Sequence, residues 1–349
     1  MVSVIIPAYN ADKTIRKCLE PLMSQDYAEE YEVIVVDDGS TDSTPHMVSE
    51  FNKVRLIKQE NAGPAAARNK GAAEAEGEIL LFTDADCVPE HNWISEMLKP
   101  FNENKEVFGV KGRYKTNQKE IVARFVQLEY EDKYSYMLKD KYIDFIDTYS
   151  GGFKKAVFLE MKGYDTEFPV ACAEDVELSY RLSNRGYKMV FNPDAIVYHT
   201  HPNRLLDYLK KKYKFAFWRM LTLKKNPNKV TKDSHTPQIM KIQVLFPPVI
   251  FGSVVLAAIH RSFLFFFLLL LTLFVFTTLP FAFKAYKSDL TIGLFSPVLL
   301  FFRAVAHFLG VLGGTFYIIK QKMLKKFSIE KFKTEFKDFV NEKIKEFFR

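Results

Sequence analysis

Residues 78–86 read Glu78-Ile79-Leu80-Leu81-Phe82-Thr83-Asp84-Ala85-Asp86, a short apolar run that stops on two aspartates one residue apart. A continuous apolar run of this length fits a strand buried on both faces, and such strands belong to parallel sheets covered by helices. Ligands of those sheets bind beyond the carboxyl ends of the strands. Two carboxylates at such an end can present oxygens to one hard cation that keeps several waters and bridges a diphosphate.

Upstream, Val2 to Pro7, Glu32 to Val36 and Val54 to Ile57 repeat the strand-like character. Helical patterns separate them, at Asp12 to Ser24, from about Thr44, and from about Pro64 to Glu76. The alternation predicts an α/β domain with a mostly parallel sheet. The first run ends in Pro7-Ala8-Tyr9-Asn10 and the second in Asp37-Asp38-Gly39-Ser40, so polar groups collect where a ligand should sit. No GxGxxG follows the first strand and no GxxxxGK[ST] occurs, which excludes a dinucleotide fingerprint and a P-loop.

The whole chain has 349 residues, 48% apolar and 26% charged, enough for a large core plus a second unit and unlike a disordered or collagenous chain. Three scattered cysteines, Cys18, Cys87 and Cys172, exclude a disulfide framework or a four-ligand zinc site. Of 33 phenylalanines, 21 lie from Ile242 onward, which marks a different solvent there. Apolar segments run over 242–259, 263–283 and 290–319, and the second carries no charge over 21 residues, enough to cross about 30 Å of hydrocarbon. Pro247-Pro248 interrupts the first segment, and the third contains Pro297, Arg303 and His307.

Basic stretches bracket this block. Residues 202–241 hold 11 Lys/Arg against 2 Asp/Glu, and residues 320–349 hold 10 against 5. Lys/Arg excess marks the cytoplasmic side, so both flanks can lie there only with an even number of crossings, two or four rather than three. Met1 leads straight into an apolar strand without a basic n-region, so the N-terminal two-thirds are expected to stay cytoplasmic beside a multi-pass membrane segment. From Phe327 to Phe347 apolar residues recur mostly every three or four with lysines between, a basic amphipathic helix for an anionic leaflet or for packing on the domain. The pI of 9.0 is carried beside the apolar block, so membrane lipid, not nucleic acid, is the expected partner.

Taken together, Val2-Ser3-Val4-Ile5-Ile6-Pro7-Ala8-Tyr9-Asn10, Val35-Val36-Asp37-Asp38-Gly39-Ser40-Thr41-Asp42, Gly63-Pro64-Ala65-Ala66-Ala67-Arg68-Asn69-Lys70-Gly71 and Asp84-Ala85-Asp86 resemble the successive motifs of family 2 glycosyltransferases. Gly151-Gly152-Phe153, Lys162-Gly163-Tyr164-Asp165, Ala173-Glu174-Asp175-Val176-Glu177-Leu178, Arg181-Leu182 and Gly186-Tyr187 continue the same order. The resemblance covers roughly residues 1–220. It implies a GT-A fold, a nucleotide-diphosphate sugar donor and Mg2+ or Mn2+.

Residue by residue, it implies that Asp38 accepts a hydrogen bond from the base, with Pro7, Tyr9 and Asn10 lining that pocket. Arg68 would face the nucleotide or diphosphate, where a guanidinium fork suits phosphate oxygens. Asp84 would reach the ribose and the metal, Asp86 the metal, with His199 as a further metal ligand and His201 as its rival. Asp175 would be the base that takes the proton of an attacking hydroxyl, supported by Glu174, and direct attack with one base inverts the anomeric carbon. Gly151 and Gly152 would lie near the acceptor. An ionisable residue within an apolar segment is costly, so Arg303 and His307, four apart, are candidates for the phosphate of a lipid-linked acceptor, against snorkelling to an interface.

The expected organisation is a GT-A catalytic domain over 1–225, a basic linker over 226–241, transmembrane or interfacial helices over 242–319 and an amphipathic tail helix over 320–349. The expected activity is transfer of a single hexosyl-type sugar to a lipid-linked or surface-glycan acceptor. Processive relatives carry QxxRW after the base, whereas this chain has Lys214 and then Phe217-Trp218-Arg219-Met220, which argues against long-chain polymerisation. A polyprenyl-phosphate sugar synthase, with an acceptor already nucleophilic, and a non-catalytic membrane scaffold are the alternatives. The donor base, the sugar, the acceptor and the oligomeric state are not legible in the sequence.

Overall fold

The computed structural model describes residues 1–168, 172–230 and 233–347, the side chains of 325–347 excepted. Its strands are β1 (Val2–Ala8), β2 (Tyr31–Asp37), β3 (Val54–Lys58), β4 (Ile79–Phe82), β5 (Cys87–Pro89), β6 (Val107–Lys115), β7 (Gly151–Lys154) and β8 (Lys188–His199). Between them run α1 (Ile15–Leu22), α2 (Thr44–Ser49), α3 (Pro64–Glu74), α4 (Trp93–Glu103), α5 (Ile121–Met137), α6 (Lys155–Glu160) and α7 (Glu174–Asn184). After the sheet come α8 (Leu205–Lys225), α9 (Gln238–Gln243), α10 (Phe246–Ile259), α11 (Phe263–Ser288) and α12 (Leu290–Phe347).

The eight strands form one mixed sheet in the order β3-β2-β1-β4-β7-β6-β8-β5. β1 to β4 pair in parallel, with Val4 opposite both Val33 and Leu81. The apolar runs of β1, β2 and β4 are continuous because both faces are covered. Val4, Ile6, Val33, Val35 and Leu81 pack with Ile15, Leu19, Trp93 and Met97 on one side. Ile5, Ile34, Val36, Leu80 and Phe82 pack with Ala65, Ala72, Phe153 and Phe158 on the other. Each such side chain, fully buried, contributes roughly 1.5–3 kcal/mol. α3 begins with Gly63 at φ 89° and Pro64 in its first turn, and lies close on β1, since a Cβ on Gly71 would stand 2.6 Å from Ile5 Cγ2.

The second half of the sheet departs from the parallel pattern. β7 runs antiparallel to β4 and β6, and β5 runs antiparallel to β8. Residues 226–241, read from sequence as a basic linker, carry buried Asn226, Asp233, His235 and Thr236 and include most of α9.

Three helical stretches, Gln238–Ile259, Phe263–Ser288 and Leu290–Leu324, are long and apolar enough to cross a membrane. Pro247 and Pro248 stand in the first turn of α10, where a proline costs no hydrogen bond, so they open a helix instead of breaking one. α12 lies lengthwise against the sheet domain. Asp289, just before it, accepts a 2.8 Å bond from Arg124 of α5. Ile292, Leu299 and Leu300 pack with Phe125, Val126 and Tyr208. Farther along, Cβ atoms on Gly310 and Gly314 would collide with the carbonyl oxygens of Tyr213 and Phe217 in α8, so only glycine permits this approach. The basic amphipathic face expected between Phe327 and Phe347 lies outside the described side chains.

Candidate active site

The parallel strands end together at one edge. Asp38, just past β2, is 3% exposed. One of its oxygens accepts from Gln59 Nε2 at 2.7 Å and Ala62 N at 2.9 Å, and the other from Gly63 N at 2.9 Å. Asp38 thus ties down the loop that opens α3. Beside it, Asn10 adopts φ 49° and accepts from Thr41 N at 2.8 Å, while Pro7 is partly buried and Tyr9 is 52% exposed. These four residues lie at the carboxyl ends of β1 and β2.

Asp84 and Asp86 follow β4. The next strand, β5, pairs with β8 so that Cys87 stands opposite His199, and this register carries Asp86 to the imidazole. Asp86 Oδ1 lies 3.6 Å from His199 Nδ1, and the ligating atoms of Asp86, Cys87 and His199 fall within 4.8 Å of one another. Partial burial works to raise the Asp86 pKa, but His199 and Lys211 outweigh it and hold the carboxyl below its usual range. Burial, and then Asp84 and Asp86, push the Cys87 thiol well up, so it stays protonated. Among these atoms the carboxylate and the imidazole therefore suit a hard divalent cation. His201 is set apart. Its Nε2 lies 3.0 Å from Gln127 Oε1, its ring stacks on Tyr130, and burial pushes its pKa down to about 3.

Arg68, expected to face a diphosphate, is 2% exposed and directs its fork at two carboxylates, Asp84 at 2.7 Å and Glu174 at 3.0 Å. The other Glu174 oxygen accepts from the backbone N–H groups of Cys172 and Ala173. Glu174 is therefore fully engaged, and the Arg68 fork ties the start of α7 to Asp84 past the end of β4. Its neighbour Asp175 accepts at 2.7 Å from Val176 N, and nothing among the described residues hydrogen-bonds its second oxygen. Burial first, and then the charge of Glu174, push Asp175 up to about 7.

Gly151 and Gly152 sit in β7, in the middle of the sheet. A Cβ on Gly152 would meet Leu81 at 2.9 Å and one on Gly151 the Asp147 carbonyl oxygen at 2.6 Å, so both glycines serve close packing.

Asp175 opens onto a cavity of about 340 Å³ that reaches α12 and is lined also by Glu129, Lys133, Lys212, Arg219, Arg303 and His307. Arg303 does not reach out to an aqueous interface. It is 8% exposed and bonds Glu129 at 2.7 Å and Gln243 at 2.6 Å. Sequence reasoning misses the contributions of Glu129, Lys133 and Arg219. Glu129 and Lys133 are two of four charges inside the aromatic run Phe125 to Tyr136, a pattern that does not single them out.

Parallel strands ending in carboxylates, a second set of strands folded back to supply a histidine, and an acid-led helix across the crevice define the GT-A class of fold. A model of glycosyl transferase family 2 matches residues 3–158, and one of glycosyl transferase family group 2 matches residues 145–309. The chain belongs to the family 2 glycosyltransferases. It is 29% identical over 232 residues to the probable glycosyltransferase YdaM of Bacillus subtilis, covering 62% of this chain and 54% of that one. It is 46% identical over 99 residues to the glycosyltransferase AglE of Haloferax volcanii, covering 27% and 33%. The chain thus spans about half or less of the length of these relatives. The mannosyltransferase PcManGT from Pyrobaculum calidifontis, solved in complex with GDP-Man and Mn2+, shares the fold with a TM-score of 0.60 and 21% identity, covering 90% of this chain and 86% of that one.

Proposed function

We propose that this protein transfers one sugar from a nucleotide-diphosphate sugar to a lipid-linked or surface-glycan acceptor, with inversion, at the cytoplasmic face of a membrane. The observation that carries the reading is the position of Asp175. It stands between the carboxylates of the strand ends and the cavity that leads to α12. Pro7, Tyr9, Asn10 and Asp38 would hold the nucleoside, while Arg68 positions Asp84 and Glu174. Asp86 and His199, with Asp84 nearby, would hold Mg2+ or Mn2+, which when bound neutralises charge on the departing diphosphate. PcManGT, of the same fold and solved with GDP-Man and Mn2+, supports this choice. Asp175, with a pKa near 7, is poised to accept a proton from an acceptor hydroxyl at neutral pH.

Only two of the three apolar helices cross the bilayer in this reading. A helix held by α5 at Asp289 and by α8 at Gly314 runs along the sheet domain, which cannot enter hydrocarbon, so α12 lies in the interface. α10 and α11 cross as an antiparallel hairpin with His260-Arg261-Ser262 at its tip, and both basic flanks then share one side.

The test is hydrolysis and thermal-shift screening of UDP-, GDP- and TDP-sugars with Mg2+ or Mn2+, comparing the parent chain with Asp86→Ala. Metal-dependent stabilisation by one nucleotide class, lost in the variant, is expected. Absence of nucleotide binding under either metal would favour a non-catalytic scaffold.

A further inference from the structure

We propose that the cavity between Asp175 and α12 binds a phosphoryl group carried on a hydrocarbon chain, with Lys133, Lys212 and Arg303 holding the phosphoryl oxygens. The proposal rests on the transferase reading above and names the chemistry of its acceptor.

The cavity wall carries more positive charge than its own carboxylates balance. Glu129 is shared by two cations, Lys212 at 2.9 Å and Arg303 at 2.7 Å, and the three side chains are 5%, 14% and 9% exposed. Asp233, with no exposed side-chain surface, is likewise shared by Arg219 at 2.7 Å and Lys241 at 3.5 Å. Lys133 has its Nζ 5.5 Å from the Tyr130 ring centroid and no carboxylate partner among the described residues. Lys212 and Arg303 therefore share one carboxylate, Arg219 and Lys241 bond another, and Lys133 adds a cation with none among the described residues. The other nearby acids do not redress the balance, because Lys111 takes Asp147 and Lys284 takes Asp132. Asp175 is half-neutralised at pH 7 by its raised pKa.

Uncompensated charge away from bulk water is expensive, and a protein relieves it with a partner or by shedding protons. Lys133 shows the second response. Burial, and then the neighbouring Lys212, push it down to about 7. A bound dianion would supply the first. A phosphate monoester carries about −1.5 to −2 charges near neutrality, which matches the excess, and the Arg303 fork suits its oxygens.

The rest of the wall selects what carries the phosphate. Met240, Val244, Phe281 and Val311, from α9, α11, α12 and the turn before α10, line the same cavity, and they continue into the apolar helices. A free glycan would present hydroxyls to this surface without hydrogen-bond partners. A hydrocarbon tail leaves the bilayer beside α11 and needs none. Its headgroup then lies in the cavity that Asp175 opens onto, where a reacting hydroxyl or phosphoryl oxygen is required.

The experiment uses the full chain in a neutral maltoside micelle, without nucleotide sugar, and follows thermal unfolding with decyl phosphate, decanol and inorganic phosphate. Decyl phosphate is expected to raise the midpoint in a saturable way, with an affinity at least about tenfold above those of decanol and inorganic phosphate. Lys133→Gln, which removes no ion pair, should keep or raise the ligand-free midpoint and weaken decyl phosphate by about tenfold. Arg303→Lys, which keeps the charge and loses the fork, should weaken it as well. Equal stabilisation by decanol, equal binding of inorganic phosphate, or unchanged binding to Lys133→Gln would overturn the proposal. Metal-dependent hydrolysis of nucleotide sugar by the same preparation reports the transferase reading separately. Hydrolysis without decyl phosphate binding would sink the lipid site alone, and binding without hydrolysis would support the site while removing the transferase reading.

Discussion

Arg68 and Glu174, 106 residues apart in sequence, form a 3.0 Å ion pair in which both side chains are 2% exposed. Removing one partner of a buried pair leaves a charge without compensation. Arg68→Met is therefore expected to destabilise the sheet domain by about 3–5 kcal/mol. Combining it with Glu174→Gln should recover part of that loss, because the two residues share one interaction. Chemical denaturation of the four-member cycle measures the coupling, and strictly additive effects would remove the pair from the architecture of the site.

Asp175 gives activity a pH signature. A base with a pKa near 7 must lose its proton to work, so turnover should rise about tenfold per pH unit below 7 and level off above it. Asp175→Asn should lower the rate by roughly 10²- to 10⁴-fold. If the rate is retained, the acceptor is already nucleophilic, as a phosphate would be.

Stability should run the other way at the same residue. The folded pKa lies above the ordinary value of 3.8, so the folded chain binds more protons than the unfolded one between about pH 4 and 7. The stability tied to protonated Asp175 is complete below that window and is lost as pH rises through 7. Asp175→Asn should thus unfold at a higher temperature than the parent at pH 8, with a smaller difference at pH 5. Thermal scans at the two pH values decide it.

The histidine that ends β8 and the one two residues beyond it should separate cleanly. His199 stands 3.6 Å from Asp86, whereas His201 is turned to Gln127 and Tyr130. His199→Ala is expected to weaken Mn2+ binding by about tenfold or more, and His201→Ala should leave it within about twofold while lowering thermal stability. Titration of Mn2+ by electron paramagnetic resonance distinguishes them. Equal losses would refute the assignment.

Ser262 tests the hairpin. Ser262→Cys in sealed vesicles should react with a membrane-impermeant maleimide on the side opposite Cys172, the one native cysteine that is not buried. Labelling of both from the same side would mean that α10 and α11 turn back within the bilayer.

β1, β2 and β4, with the aspartates at the ends of β2 and β4, are legible because a strand covered on both faces is written as an uninterrupted apolar run. β4 with Asp84 and Asp86 is the clearest case. The antiparallel strands are not, since β7 is only Gly151 to Lys154 and Gly152 answers to a neighbour distant in sequence, Leu81. α5 is illegible for a different reason. Its Phe125 and Val126 pack toward α12 while Tyr134 and Met137 pack into the sheet domain, so no single apolar stripe emerges. Arg68 has the right neighbours in sequence but not the right direction, because nothing local announces a carboxylate 106 residues away.

The glycine contacts between α8 and α12 have a mechanical meaning. With Gly310 and Gly314 seated on backbone carbonyls and Asp289 held at the other end, the domain is bolted flat along α12, its membrane floor in the proposed arrangement. It cannot tilt or rise on a tether. Under the proposed function Asp175 is thereby fixed at one altitude above the lipid, and an acceptor would be measured by its reach. A headgroup whose reactive atom sits at that height meets Asp175, while a longer or shorter one passes it by, so the joint between two helices acts as the ruler of the site.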